Sequence, residues 1–369
     1  MKFLLACGLF RHAVCLVVLV TVCTWTPIAN ATTYQEWKDA VVAGADFMLQ
    51  YQNDDGGFPW KLTDPSLPYD STKGSPANTL GATARGLVAA YNATGDTTYL
   101  EAADKVAALI EYRYDNAITI GSYGPPFYNK DVEFAYELAA AGGLDITSKA
   151  NESAVAYFNA KLLDYESNLD IDTAAKAIYQ RYVDSGWESP GAQFWMIGNW
   201  VHVAALLENQ EIYSGYTGSD MAVELYGLMA AGYGTYFDPS NDVYSGIGLY
   251  GTLEGAFFAQ GNAGSTGALD EIKSRLNDPE SYFGFQDLGY TTYILGLLDD
   301  PAALKGSSIL VDWQREDGAW IYSSGNWYGE SHGEALLGLA NNAIPEPASF
   351  LVWSLLAGIG IVVAGWRRR

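Results

Sequence analysis

Two copies of one helix-stop unit lie near opposite ends of the chain and constrain its fold more than any other feature. In the first, Phe47-Met48-Leu49 leads into Gln52, Asp55-Gly56-Gly57 and Phe58. In the second, the apolar residues Ile309, Leu310, Val311 and Trp313 lead into Gln314, Asp317-Gly318 and Trp320. The copies align without a gap at Gln52/Gln314, Asp55/Asp317, Gly56/Gly318 and Phe58/Trp320. Each glycine suits the left-handed position just past a helix end. Each glutamine can both donate and accept where neighbouring helix ends leave backbone groups unpaired. A return helix follows in both, through Thr79, Gly81 and Gly86-Leu87 in one and from Ser331 to Leu339 in the other. Two such units framing the chain predict a ring of helical hairpins whose first and last members meet. A weaker third echo runs from Gly284 to Tyr290.

These residues carry a resemblance. Lys305-Gly306, Ile309-Leu310-Val311, Gln314, Gly318 and Trp320 resemble the Gln-Trp repeat of the terpenoid cyclases, with related signatures in protein prenyltransferase β-subunits. Gln52 to Trp60 is similar to a stretch of the pectic acid lyases. The resemblance implies an all-α fold, an α/α toroid of helical hairpins, and leaves the chemistry open. The Asp-x-Asp-Asp motif of squalene–hopene-type cyclases does not occur, since Asp170-x-Asp172 stops at Thr173. The catalytic set of the pectic acid lyases finds no matching positions.

Both ends read as addresses. Lys2 and Arg11 flank an apolar run from Ala13 to Val22 that ends at Ala29-Asn30-Ala31, so residues 1–31 form a secretory signal and the mature chain starts at Thr32. All three cysteines (Cys7, Cys15 and Cys23) lie inside that signal, which excludes disulfides, thiolate catalysis and the Asp-Cys-His zinc set of prenyltransferases from the body. At the other end, residues 343–369 hold Pro345-Glu346-Pro347, an apolar stretch from Phe350 to Trp366, and Arg367, Arg368 and Arg369. The stretch is close to the shortest that spans a bilayer, and the arginines keep its end cytoplasmic. This segment resembles a PEP-CTERM sorting signal, which implies an exosortase of a Gram-negative bacterium as partner and removal at export. The resemblance places the protein transiently in the inner membrane, then at the cell surface or in extracellular matrix.

Five of the 20 basic and one of the 43 acidic residues lie in these ends, so the body, residues 32–342, carries net −27. That charge repels nucleic acid and anionic membrane surfaces and suits neutral glycans or divalent cations. The body reads as helical throughout. Trp37, Val41, Ala45, Met48 and Tyr51 share one face of a first helix, and Thr98-x-x-Glu101 reads as a capping box. Further helical patterns run over 131–141, 151–165, 173–183, 192–208, 221–231, 249–260 and 269–276, and no stretch alternates as a sheet does.

The candidate chemistry sits in the loops. Glu330 and His332 stand at a loop-to-helix junction, where histidine can serve as a general base. Asp317 and Asp55 supply further acids, although both also belong to the helix-stop turn. Trp60, Tyr69, Trp320, Trp327 and Tyr328 are the substrate-binding candidates, because flat rings with polar edges stack on sugars. His202, in an apolar helical run, reads as a core residue; Asp170 reads as a helix cap, and Asp238 to Asp242 lacks the spacing of a calcium loop. No metal or cofactor is expected. Three functions follow from these residues: an enzyme cleaving extracellular polysaccharide by hydrolysis or β-elimination, a non-catalytic glycan-binding or matrix protein, or a terpenoid cyclase-like enzyme.

Overall fold

The computed structural model describes residues 34–118, 127–162, 169–185 and 189–343. The signal, residues 1–31, and the tail from 344 onward, with its apolar stretch, lie outside the described residues. Within them the protein is mostly helical. Helix α1 covers 34–49. Then follow α2 (Leu80–Thr94), α3 (Thr97–Asp115), α4 (Asn129–Ala140), α5 (Thr147–Lys161), α6 (Ile171–Val183) and α7 (Pro190–Leu206). The later helices are α8 (Gly218–Gly232), α9 (Ser245–Gln260), α10 (Ala268–Arg275), α11 (Pro279–Tyr282), α12 (Phe285–Leu297), α13 (Ala302–Asp312) and α14 (Gly329–Asn342). Two short antiparallel ladders add β1 (Lys61–Leu62) with β4 (Trp327–Tyr328), and β2 (Glu211–Tyr213) with β3 (Tyr216–Thr217). Among the described residues no helix is long and apolar enough to cross a membrane.

The expected stripe of α1 is buried: Val41, Ala45 and Met48 are fully enclosed, and Trp37 and Tyr51 nearly so. Two local expectations are corrected. Helix α3 is capped by Asp96, whose carboxylate accepts from Thr98 N at 2.9 Å, so the helix starts at Thr97, ahead of the expected box. Gly284 to Tyr290 is no helix stop: Gly284 caps α12, and the remaining residues form its first turns.

The two glutamine turns are equivalent atom for atom. Gln52 Nε2 donates to Gly56 O (2.8 Å) and to Ala102 O of α3 (2.9 Å). Gln314 Nε2 donates to Gly318 O (3.0 Å) and to Ala40 O of α1 (2.9 Å). Gly56 and Gly318 adopt φ of 96° and 88°, where a side chain would be strained. Each turn thus ties the end of one helix to the next, α1 to α3 and α13 to α1.

Helix α2 packs against α4 and α14, α7 against α4 and α9, and α12 against α9 and α14, so contacts lead from α2 back to α2. Glycines set the close approach. A Cβ on Gly198 would lie 2.1 Å from Gly251 O, one on Gly86 2.3 Å from Gly333 O, and one on Gly338 2.2 Å from Gly289 O. First turns meet first turns: Gly81 N donates to Asp131 Oδ1 (2.7 Å), and Gly246 abuts Asp287. Neighbouring helices of this circuit therefore run in parallel there, with their N-termini at one rim.

Candidate functional site

The faces that these six helices turn toward one another carry charge where an apolar core would be the default. Arg85 of α2 is 1% exposed; its Nε and Nη2 donate to Glu137 (2.9 and 2.6 Å), and Nη1 donates to Glu133 (2.5 Å). Lys130 Nζ donates to both oxygens of Glu133 (2.9 and 2.8 Å), to Glu254 Oε1 (3.0 Å) and to the Tyr250 hydroxyl (3.2 Å). His202 Nδ1 lies 3.0 Å from Glu254 Oε1 and 3.4 Å from Glu133 Oε2. Burial alone would raise the Glu133 carboxyl, but Lys130, Arg85 and His202 together hold it well below the usual carboxylate range. Burial opposes a charge on His202, and the two glutamates overcome it and raise its pKa. Glu133, His202 and Glu254 bring one ligand atom each within 4.8 Å, a set that suits a divalent cation by residue type. The ammonium of Lys130 already bonds both carboxylates. An open surface depression lined by Gln314 to Asp317 lies in the second glutamine turn, apart from this cluster.

Toward the N-terminal rim the cluster ends in acids. Glu330 stands in the first turn of α14, keeps some surface, and has its pKa pushed up to about 7 by burial, against the pull of Lys130. Glu334, one turn on and fully buried, is raised well above the ordinary range by burial and then by Glu330. Neither of its oxygens has a formed hydrogen bond. Asp287 of α12, which accepts from Gly284 N at 3.0 Å, is raised to about 6 by burial. A carboxyl that titrates near neutrality can exchange protons with a substrate at the working pH.

The expected site residues divide. Glu330 faces this cluster, and His332 does not: this is a correction. Its Nδ1 accepts from Trp327 Nε1 (2.9 Å), so Nε2 carries the proton and donates to Gly44 O of α1 (2.8 Å). The ring is fully buried beside Phe47, and burial lowers its pKa to about 4, so it is a neutral strut between α14 and α1. Trp320 and Trp327 are also corrected. They are 1% and 0% exposed, with Trp320 Nε1 donating to Leu310 O (2.8 Å), so neither can reach a substrate. Asp55 holds its own turn, accepting from Gly57 N (3.1 Å) and Ser75 N (2.9 Å) and pairing with Arg113 (3.3 Å). Asp317 accepts from Ala319 N (3.2 Å) and pairs with Arg315 at the surface (3.0 Å). The turn explains both acids. Tyr69 is half-buried, its hydroxyl bonded to Asn53. Trp60 is 56% exposed and sits edge-on to Tyr328, with ring centroids 5.9 Å apart.

Arg85, Lys130, Glu133, Glu254 and Glu334 were missed as a set. Arg85 and Glu254 are each a lone charge inside an apolar helical run, as in Gly81-Ala82-Thr83-Ala84-Arg85-Gly86-Leu87-Val88, and that mismatch is the available signal. Lys130 and Glu133 flank Asp131, and Glu334 follows Glu330 and His332, where a polar helix start hides them. Residues 343–369 match the family profile described as the PEP-CTERM protein-sorting motif. The motif implies an exported chain, anchored in the membrane through its C-terminal region and processed by an exosortase. No curated protein and no solved structure matches the chain.

Proposed function

We propose that the circuit of six helices is the inner ring of an α/α toroid, and that this surface protein cleaves extracellular polysaccharide at the N-terminal rim. Glu330 carries the reading: it is partly accessible, its pKa is pushed up to about 7, and it lies two residues from the half-exposed ring of Tyr328. Protonated, it can deliver a proton to a leaving glycosidic oxygen; ionised, it can take one from water or from a sugar carbon. Glu334 and Asp287 supply the neighbouring carboxyls. The interior is filled by ion pairs, so substrate approaches from the rim. That polar filling disfavours a terpenoid cyclase, whose chemistry needs an apolar enclosed cavity. The exposed ring of Trp60 favours, as a second reading, glycan binding without cleavage.

A polysaccharide panel read for reducing ends and for unsaturated products tests the two. Glu330→Gln is expected to lower turnover by roughly 10²–10⁴-fold with substrate retention intact. Turnover that needs the protonated form should fall as pH rises through about 7. Retention on a glycan without product from the wild-type protein would leave only the binding role; unchanged turnover in Glu330→Gln would remove this residue from the chemistry.

Export sets the mature form. The body begins at Thr32, and an exosortase host removes the segment beyond Pro345-Glu346-Pro347. Mass spectrometry of surface material is expected to find an N-terminus at Thr32 and no peptide from 350–366. Recovery of that apolar peptide from the surface form would contradict it.

A further inference from the structure

Five aromatic rings stand in an unbroken edge-to-face row. Ring centroids are 5.9 Å apart from Trp60 to Tyr328, 5.5 Å from Tyr328 to Tyr322, 4.9 Å from Tyr322 to Phe285, and 5.8 Å from Phe285 to Trp313. They come from distant parts of the chain: the turn after α1, the head of α12, the end of α13 and the loop before α14. Trp60 is 56% exposed, and the other four are each partly exposed. Rings gathered only for stability would be enclosed, and the same loop does enclose Trp320 and Trp327. The loop thus holds two kinds of aromatic: Trp320 and Trp327 in the core, and Tyr322 and Tyr328 in the open row.

The row passes the start of α14, the helix whose first turn carries Glu330. Tyr328 immediately precedes α14, and the Tyr322 hydroxyl donates to Ser331 Oγ (3.2 Å), the residue after Glu330. Polar groups flank both ends. Lys61 Nζ lies 5.4 Å from the Tyr328 ring centre, and beyond Trp313 the exposed side chains of Arg315 and Asp317 border the surface depression. Apolar faces with polar neighbours match a sugar, whose ring has an apolar face and a rim of hydroxyls.

We infer that this row binds a single extended chain of a neutral polysaccharide and lays one glycosidic bond beside Glu330. The spacing of the rings is comparable with that of successive sugar units. Neighbouring ring planes turn by 68–88°, so the row presents no common flat face. A crystalline glycan sheet does not fit it; a single chain that twists from ring to ring does. The acidic body, with formal net charge −23 for the whole chain, excludes polyanionic glycans. The inference rests on the proposal that Glu330 acts on a glycan.

The test uses the mature protein and its Glu330→Gln form, which keeps bound chains intact, with cello- and malto-oligosaccharides of increasing length and with crystalline cellulose. Affinity by calorimetry is expected to rise with oligosaccharide length. Trp313→Ala should lower affinity for the longest oligomers about tenfold and leave the shortest unchanged, and Trp313→Tyr should restore most of the loss. Trp60→Ala, at the exposed end, should shorten the length dependence from the other side. Affinity that is flat with length, equal losses for short and long oligomers, or preference for crystalline cellulose would overturn the row. Product formed by wild type with flat affinity would remove the row and spare Glu330. Length-dependent affinity without product would remove the catalytic role and spare the row. Neither binding nor product with any probe would overturn both.

Discussion

An Arg85→Met protein is expected to lose about 3–5 kcal/mol of stability, the range for breaking one side of a buried ion pair. The guanidinium is the only cation on Glu137 among the described ion pairs, and it shares Glu133 with Lys130 and His202. Its removal leaves a fully buried carboxylate short of charge and of a hydrogen bond, while the methionine fills most of the vacated volume. Urea unfolding followed by circular dichroism measures the loss. Arg85→Lys should recover only part of it, because one ammonium cannot reproduce the three-donor fork. Adding Glu137→Gln to Arg85→Met should return part of the stability, since Glu137 is the carboxylate that loses its cation, while Glu133 keeps Lys130 and His202. A loss under about 1 kcal/mol would show that the centre is hydrated and that the ion pairs carry little. The pH sign follows from Glu133. Its folded pKa lies below the unfolded value of 4.5, so its contribution is complete above 4.5 and is lost as acid protonates it in the fold.

The second large effect is expected at His332. Replacing it with alanine leaves the Trp327 indole N–H buried without a partner, at about 1–3 kcal/mol, takes from Gly44 O the hydrogen bond that links α14 to α1, and opens a cavity between the two helices. Thermal melting should fall on the order of ten degrees for a body of this size. Acid supplies an independent check. The folded pKa of about 4 lies below the unfolded 6.5, so the native state resists the proton that the unfolded chain accepts. The stability tied to this neutral ring is complete above 6.5 and declines as pH falls toward 4. His332→Ala should melt with less dependence on pH across that window. A variant that melts within two or three degrees of wild type would show that the strut is dispensable.

Helix positions were legible because their apolar stripes recur at the helical period, and the glutamine turns because a left-handed glycine and a bridging amide leave a fixed spacing. The interior was not. Lys130 meets Glu254 across 124 residues of sequence, and Arg85 meets Glu133 across 48, so no local window reveals that these charges are paired. The motif around α14 shows the limit most clearly. Glu330, Ser331, His332 and Glu334 look alike as a polar group at a helix start. Residues four apart share a helix face, and a residue two positions on points nearly the opposite way. Glu330 and Glu334 therefore turn inward together, and His332 turns to the wall. A wheel drawn on that helix would have separated them.

The joint between the first and last hairpins has a mechanical consequence. Gln314 to Ala40, His332 to Gly44 and the β1–β4 ladder all close across nearly the whole body, the first two spanning 274 and 288 residues. Contacts of that separation form late, since the long intervening loop costs entropy until the rest is in place. The strand of chain that leads to the sorting motif leaves directly from α14, the helix that makes this closure. A pull on the chain beyond α14 would load first the last turn of that helix, where Asn342 Nδ2 donates to Thr292 O (3.2 Å), and would reach the joint only through the length of α14.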